Sequence, residues 1–171
     1  MIQTIRKTIV SGLNKYTNVL VVDTDNPNEK PKYPFLSFKI TTMRQNQGKG
    51  GSRNTRFEKS LDENFRHDVV ESISFQPYMV LSISAYSNNV VESQELAFKA
   101  WEWFKFVGKY ALEEINCVVV DTQNVQDRTT HIVDFYEYEQ GFDVSIRYLH
   151  EIERRTETIE EYEIKGEMIW Y

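Results

Sequence analysis

Leu36, Phe38 and Ile40 alternate with Ser37, Lys39 and Thr41. The same period of two returns at Met79, Leu81, Ile83 and Ala85, and again at Phe142, Val144, Ile146, Tyr148 and Ile152. Successive side chains of a strand point to opposite faces, so each run reads as a half-buried strand with one apolar side. Three such runs need a common core, and this requirement constrains the chain more than any other feature. Shorter runs rich in β-branched residues add strands at Val19–Val22, Val69–Phe75, Ile115–Asp121 and Ile132–Tyr138. Gln76-Pro77 predicts a tight connection, and Glu139-Gln140-Gly141 reads as a hairpin turn.

Two segments carry helical spacing instead. Ile2, Ile5, Ile9, Leu13 and Tyr16 recur every three or four residues and predict a helix over 2–16. In the second, Leu96, Ala97, Ala100, Trp101, Trp103, Phe104 and Val107 form a broad apolar face. Asn88 or Asn89 is placed to cap its start, and Gly108 stands where a left-handed C-terminal residue belongs. The element order is helix, strands, helix, strands, with short turns between strands. This order predicts an α+β fold: a mostly antiparallel β-sheet flanked by two main helices.

The chain has 171 residues, a length suited to one α+β domain spanning 1–171. Its 26 acidic and 20 basic residues give a formal charge of −6, which disfavours general affinity for nucleic acid. No run of 18 apolar residues is present to span a membrane, and the N-terminus lacks the uninterrupted apolar stretch of a secretory signal. Ten Phe, ten Tyr and three Trp suit pleated sheet surfaces and protein interfaces alike.

Charge is segregated along the chain. A Gly- and Asn-rich stretch at about 44–59, read as a flexible basic loop, carries Arg44, Lys49, Arg53, Arg56 and Lys59 against Glu58, net +4. The segment 151–171 is acidic, with seven Glu against Arg154, Arg155 and Lys165, net −4. The basic stretch of one subunit could meet the acidic segment of a neighbour, which makes Arg44, Lys49, Arg53 and Arg56 candidate contact residues. Asp127 and Arg128 are a further candidate contact pair, or an exposed turn pair of small energetic weight.

Catalytic chemistry finds little support. His67, His131 and His150 lack a second His or Cys at metal-ligand spacing, and the adjacent His67 and Asp68 point to opposite faces of a strand. Gly48-Lys49-Gly50-Gly51-Ser52 has the wrong spacing for a phosphate loop. No Gly-x-Ser-x-Gly occurs. The lone cysteine, Cys117, heads an apolar run and is expected to be buried and inert. No cofactor or metal is expected.

One resemblance is specific enough to name. The stretch from Ser93 through Ala97-Phe98-Lys99-Ala100-Trp101-Glu102-Trp103-Phe104 to Gly108 resembles the phage neck and tail terminator proteins. So do Ile115 to Val120, Gln126 to Thr130 and Tyr136 to Arg147, and more loosely Pro34 to Phe38. The resemblance implies a lambda-type tail terminator fold and a structural, non-enzymatic role in virion assembly. It further implies a homo-oligomeric ring, commonly hexameric, on the head-proximal end of the tail tube. Such a ring stops tube growth and joins the head connector, with the tail tube protein and a connector or stopper protein as partners. DNA passes through its centre without specific binding. Assembly in the bacterial cytoplasm and residence in the virion neck follow from the same likeness. Another neck component (a head completion protein or a tube-like subunit) fits much of the pattern, and a nucleic-acid module fits less.

Overall fold

In the computed structural model, which describes residues 1–25, 29–45, 50–132 and 135–158, the period-two runs become strands and the chain is α+β. Two compact units emerge. The first comprises Met1–Gly48 and Gln76–Leu149, the second Lys49–Phe75 and His150–Tyr171.

The first unit begins with α1 (Ile2–Thr17), whose Ile5, Ile9 and Leu13 are buried at the predicted spacing. Asn18 closes it in the left-handed conformation, its N–H bonded to the Asn14 carbonyl. The strands β1 (Leu20–Asp23), β2 (Phe35–Gln45), β5 (Tyr78–Ser87), β9 (Phe135–Tyr148) and β6 (Cys117–Thr122) lie side by side in that order. The short β7 (Gln126–Asp127) and β8 (Thr130–Ile132) pair with the earlier half of β9. Only β1 and β2 run parallel; the other pairs are antiparallel.

Register explains the core. Ile83 faces Phe38 on one side and Phe142 on the other, Leu81 faces Ile40 and Val144, and Met79 faces Ile146. These form one apolar sheet face that joins a single buried cluster with Ile5, Ile9 and Leu13 of α1 and with Leu96, Ala97 and Ala100 of α2 (Val90–Glu102). Asn89 caps α2, its side chain accepting from the N–H groups of Val91 at 2.9 Å and Glu92 at 3.3 Å.

The second helix departs from expectation at its end. After α2 the chain makes a π-helical turn, Trp103–Val107, and then resumes as α3 (Lys109–Glu113). Gly108 has φ −81° and is not a left-handed cap; that conformation falls to Asn116, φ 56°, just before β6. The wider turn lets two consecutive aromatics, Trp103 and Phe104, enter the core, and it leaves Val107 on the surface. Gly108 serves packing instead: a Cβ there would lie 2.5 Å from Trp103 Cε2. Gly12 of α1 approaches the same indole, and a Cβ there would lie 2.8 Å from Cε2.

Two further expectations are corrected. Glu139-Gln140-Gly141 is not a turn but lies inside the long strand β9, paired with Tyr86, Ala85 and Ser84. The last strand also breaks at Leu149, so Ile152 does not share a face with Phe142. It belongs to β10 (His150–Glu157), in another sheet.

The second unit is a three-stranded antiparallel sheet in the order β10, β4 (His67–Phe75), β3 (Ser52–Lys59). Most of the stretch expected as a loop is therefore strand: Arg44 and Gln45 end β2, and Ser52–Lys59 is β3. Its polar residues hid the pairing. Each strand of this sheet directly follows or precedes, in sequence, one of three neighbouring strands of the first sheet: β2 leads to β3, β4 to β5 and β9 to β10.

Candidate functional site

Arg56 and Arg155 both take Val70 of β4 as their register partner, from opposite sides. Two residues on, Glu58 and Glu157 flank Asp68; two residues back, Asn54 and Glu153 flank Ser72. Alternation places all nine residues on one face of the sheet. An ion network links five of them. Arg56 bonds Glu58 at 2.7 Å and Glu153 at 2.8 Å, while Arg155 pairs with Glu58 and reaches Asp68 at 3.5 Å. The Arg56 hydrogen bond, with Arg155 nearby, holds the Glu58 carboxyl below the usual carboxylate range. Asp68 is buried; its Oδ2 also accepts from the Leu61 N–H, and its Oδ1 has no hydrogen-bond partner.

The complementarity between the basic stretch and the acidic segment is thus partly met within one chain, at Arg56 and Glu153. Arg53 lies on the opposite face, in register with Ile73, beside Thr55 and Glu71. There Arg154 pairs with Glu71 and lowers its pKa. Arg44 is exposed at the end of β2. Lys49 lies outside the described residues, as does the acidic segment beyond residue 158.

Asp127 and Arg128 do not pair with each other. Arg128 turns onto the polar face of the first sheet, donating to Ser82 Oγ at 2.7 Å and to Asp143 Oδ1 at 3.0 Å. Asp127 accepts from the Thr129 N–H at 2.9 Å, and the Thr129 hydroxyl first, then this N–H, hold its carboxyl below the usual carboxylate range. Both residues fix the local chain path around β7.

On that same polar face Tyr33, Phe35 and Tyr86 stack, with ring centroids 5.7 and 4.9 Å apart. A cavity of about 540 Å³ opens beside them, lined by Leu20, Phe35, Tyr86, Lys30 and Glu137 among others. Lys30 and Glu137 pair with each other, and Tyr33 donates to the same carboxylate at 2.7 Å. Of the other charged groups lining this cavity, Asp23 pairs with Arg6 of α1.

Cys117 is fully buried, and burial pushes its thiol up to about 11. His67 and His150 fall in β4 and β10, and His131 in β8. Among the described residues no group of three or more His, Cys, Asp or Glu is arranged to hold a metal ion. None of the described helices is long and apolar enough to cross a membrane.

One surface escaped sequence reading. The helical stretch that buries Leu96, Ala100, Trp103 and Phe104 turns Phe98, Phe106 and Tyr110 outward. Phe98 stacks on the half-buried Trp101 at 6.0 Å, and the Lys105 ammonium lies 5.6 Å from the Trp101 ring centre. The apolar face read from the sequence takes in Trp101, Trp103 and Phe104 and assigns no role to Phe98, Phe106 or Tyr110. The signal available was the spacing of Phe98, Phe106 and Tyr110, eight and four residues apart and out of step with the buried set.

A model of the family described as phage neck terminator protein matches residues 7–169, nearly the whole of both units. No curated protein matches the chain.

Proposed function

Since the chain belongs to the phage neck terminator family, we propose that it acts as the tail terminator itself: a closed homo-oligomeric ring, hexameric, seated on the head-proximal end of the tail tube. The family makes it a structural component of the virion neck that associates with other tail and head proteins. In the finer reading the ring stops tube polymerisation and offers its far side to the head connector or stopper protein. It carries no catalysis, assembles in the host cytoplasm, and lets DNA pass without specific binding. The observation that carries this reading is the match across 163 residues, from 7 to 169.

Two features support it. Among the described residues the first sheet ends in two unlike edges, β1 and β6, each paired on one side only. Unlike surfaces on one chain permit head-to-tail contacts, which close into rings when the rotation is right. The net charge of −6 suits a conduit that does not hold the phosphates of passing DNA. Arg44, Lys49, Arg53, Asp127 and Arg128 stay the proposed contact residues, together with the part of Arg56 not engaged within the chain.

Light scattering across a dilution series tests the ring. A closed oligomer near six subunits is the expected result, and indefinite stacking would reassign the chain to a tube-like subunit. Adding the purified chain to polymerising tail-tube protein tests the stop. Tubes of unchanged length, with no bound chain at their ends, would overturn the terminator role.

A further inference from the structure

Residues 98–110 present a surface that is at once aromatic and cationic. Phe98 is 56% exposed, Phe106 80% and Tyr110 75%. Scattered single apolar residues are normal on a protein surface, whereas here three large exposed rings fall on one helical stretch of 13 residues. The charged residues of the stretch are Lys99, Lys105 and Lys109 against Glu102, net +2, and the three lysines are exposed. Glu102 receives the Tyr16 hydroxyl at 3.2 Å. Lys109 has a loose contact of 3.9 Å to Glu113 and lies 6.0 Å from the Tyr110 ring centre, and the Lys105 ammonium sits over Trp101. The lysine charges thus remain largely available to a partner. The π-helical turn builds this surface: it feeds Trp103 and Phe104 inward and delivers Phe106 to the outside.

The chain itself contains a segment of matching chemistry. Residues 159–171 carry Glu160, Glu161, Glu163 and Glu167 against Lys165, net −3, and interleave them with Ile159, Tyr162, Ile164, Met168, Ile169, Trp170 and Tyr171. An acidic segment with aromatic and aliphatic side chains complements a basic aromatic face in both charge and apolarity. We propose that the surface formed by Phe98, Trp101, Lys105, Phe106, Lys109 and Tyr110 receives segment 159–171 of a second copy of this chain. The contact rests on the reading of the chain as a self-assembling subunit: face and segment are different surfaces of one chain, so their pairing repeats head to tail around a ring.

Crosslinking within the full chain tests it. Trp170 is replaced by the photoreactive p-benzoylphenylalanine, and ¹⁵N-labelled and unlabelled copies are mixed before illumination. The expected product joins position 170 to peptides from residues 98–110, with the two isotopes combined. Crosslinks elsewhere, crosslinks within single copies only, or none at all would overturn the contact. The exposed-lysine variant K99E/K105E/K109E should reduce the mixed product about tenfold, as a loss of like size in affinity implies. Adding E160K/E161K/E163K should restore it, and a triple variant that crosslinks normally also counts against the proposal. Sedimentation velocity on the same samples reports assembly separately. Closed oligomers without the mixed crosslink overturn the docking contact alone, whereas a monomer at every concentration overturns the ring reading with it.

Discussion

Gly12 of α1 lies against the indole of Trp103, so close that a Cβ there would sit 2.8 Å from Cε2 and nearer still to Cζ2. Gly108 makes the same approach from the other end of the π-helical turn. One of the two tryptophans of the helical layer, Trp103, is seated where two residues have no side chain at all. Gly12→Ala should therefore destabilise the first unit by about 1–3 kcal/mol through overpacking, partly offset by a helix-propensity gain of up to about 1 kcal/mol. Urea unfolding followed by tryptophan fluorescence reads this. An unchanged midpoint would mean that Trp103 moves aside freely.

Arg155 and Arg154 are neighbours with different duties. Arg155 reaches Asp68, whose side chain is 4% exposed, whereas Arg154 pairs with Glu71 while itself 77% exposed. Arg155→Met strands a buried carboxylate and should cost about 1–3 kcal/mol. Arg154→Met should cost less than about 1 kcal/mol, as exposed pairs do. Hydrogen exchange of β4 amides in the two variants separates the cases, and equal effects would contradict the difference in burial.

Acid should loosen the second sheet before the first. The Glu58 and Glu71 carboxyls are held below their ordinary values by Arg56 and Arg154 respectively. A lowered folded pKa means that the stabilisation is present above the ordinary glutamate value and is lost as pH falls through the folded one. Amide protection in β3, β4 and β10 should fall below about pH 4, after correction for intrinsic exchange, while β5 and β9 keep theirs. Uniform loss across both sheets would show that these pairs do not control the response. Because all four partners are substantially exposed, raised salt should blunt the effect.

Arg128 acts as a fork: one nitrogen on Ser82, the other on Asp143. Arg128→Lys keeps the charge but not the two-pronged geometry, so it should recover only part of the roughly 1 kcal/mol lost in Arg128→Ala. Thermal unfolding of the three proteins decides this. Full recovery by lysine would reduce Arg128 to a point charge.

Cys117 should be silent toward thiol reagents in the native chain. It is buried, and its thiol is raised to about 11, so little thiolate exists at neutral pH. Ellman's reagent should label it only after denaturant is added. Rapid labelling of the folded protein would reveal opening of the α3–β6 region.

Where a residue's neighbours in sequence are also its neighbours in space, the sequence was a sufficient guide. The α1 stripe Ile5, Ile9, Leu13, the Asn89 cap and the apolar sides of β2, β5 and β9 all belong to this class. Gly141 shows the opposite. Beside Gln140 it reads as a turn, yet it needs to be glycine because Ile83 O and Arg128 Nη1 would lie 2.8 and 2.9 Å from a Cβ. Those atoms come from distant parts of the chain. Likewise β3 has no apolar alternation to announce it, since the face it contributes beside Val70 is built from Arg56 and Glu58. Its strand character comes from pairing with β4. Among the candidate contact residues, the charges were legible but their partners were not: the Arg56–Glu153 link spans 97 residues.

The order of strands in the second sheet also sets a schedule. Its middle strand, β4, gains β3 as soon as both have been synthesised, but its other side waits for β10, where His150 pairs with Phe75. At a synthesis rate of about 5–20 residues per second, the intervening 74 residues take about 4–15 s. Throughout that interval β4 presents a bare strand edge on the nascent chain, open to any other strand that reaches it first. The penalty for crowding many copies on one message would fall there, and slower elongation between residues 76 and 149 would lengthen the exposure.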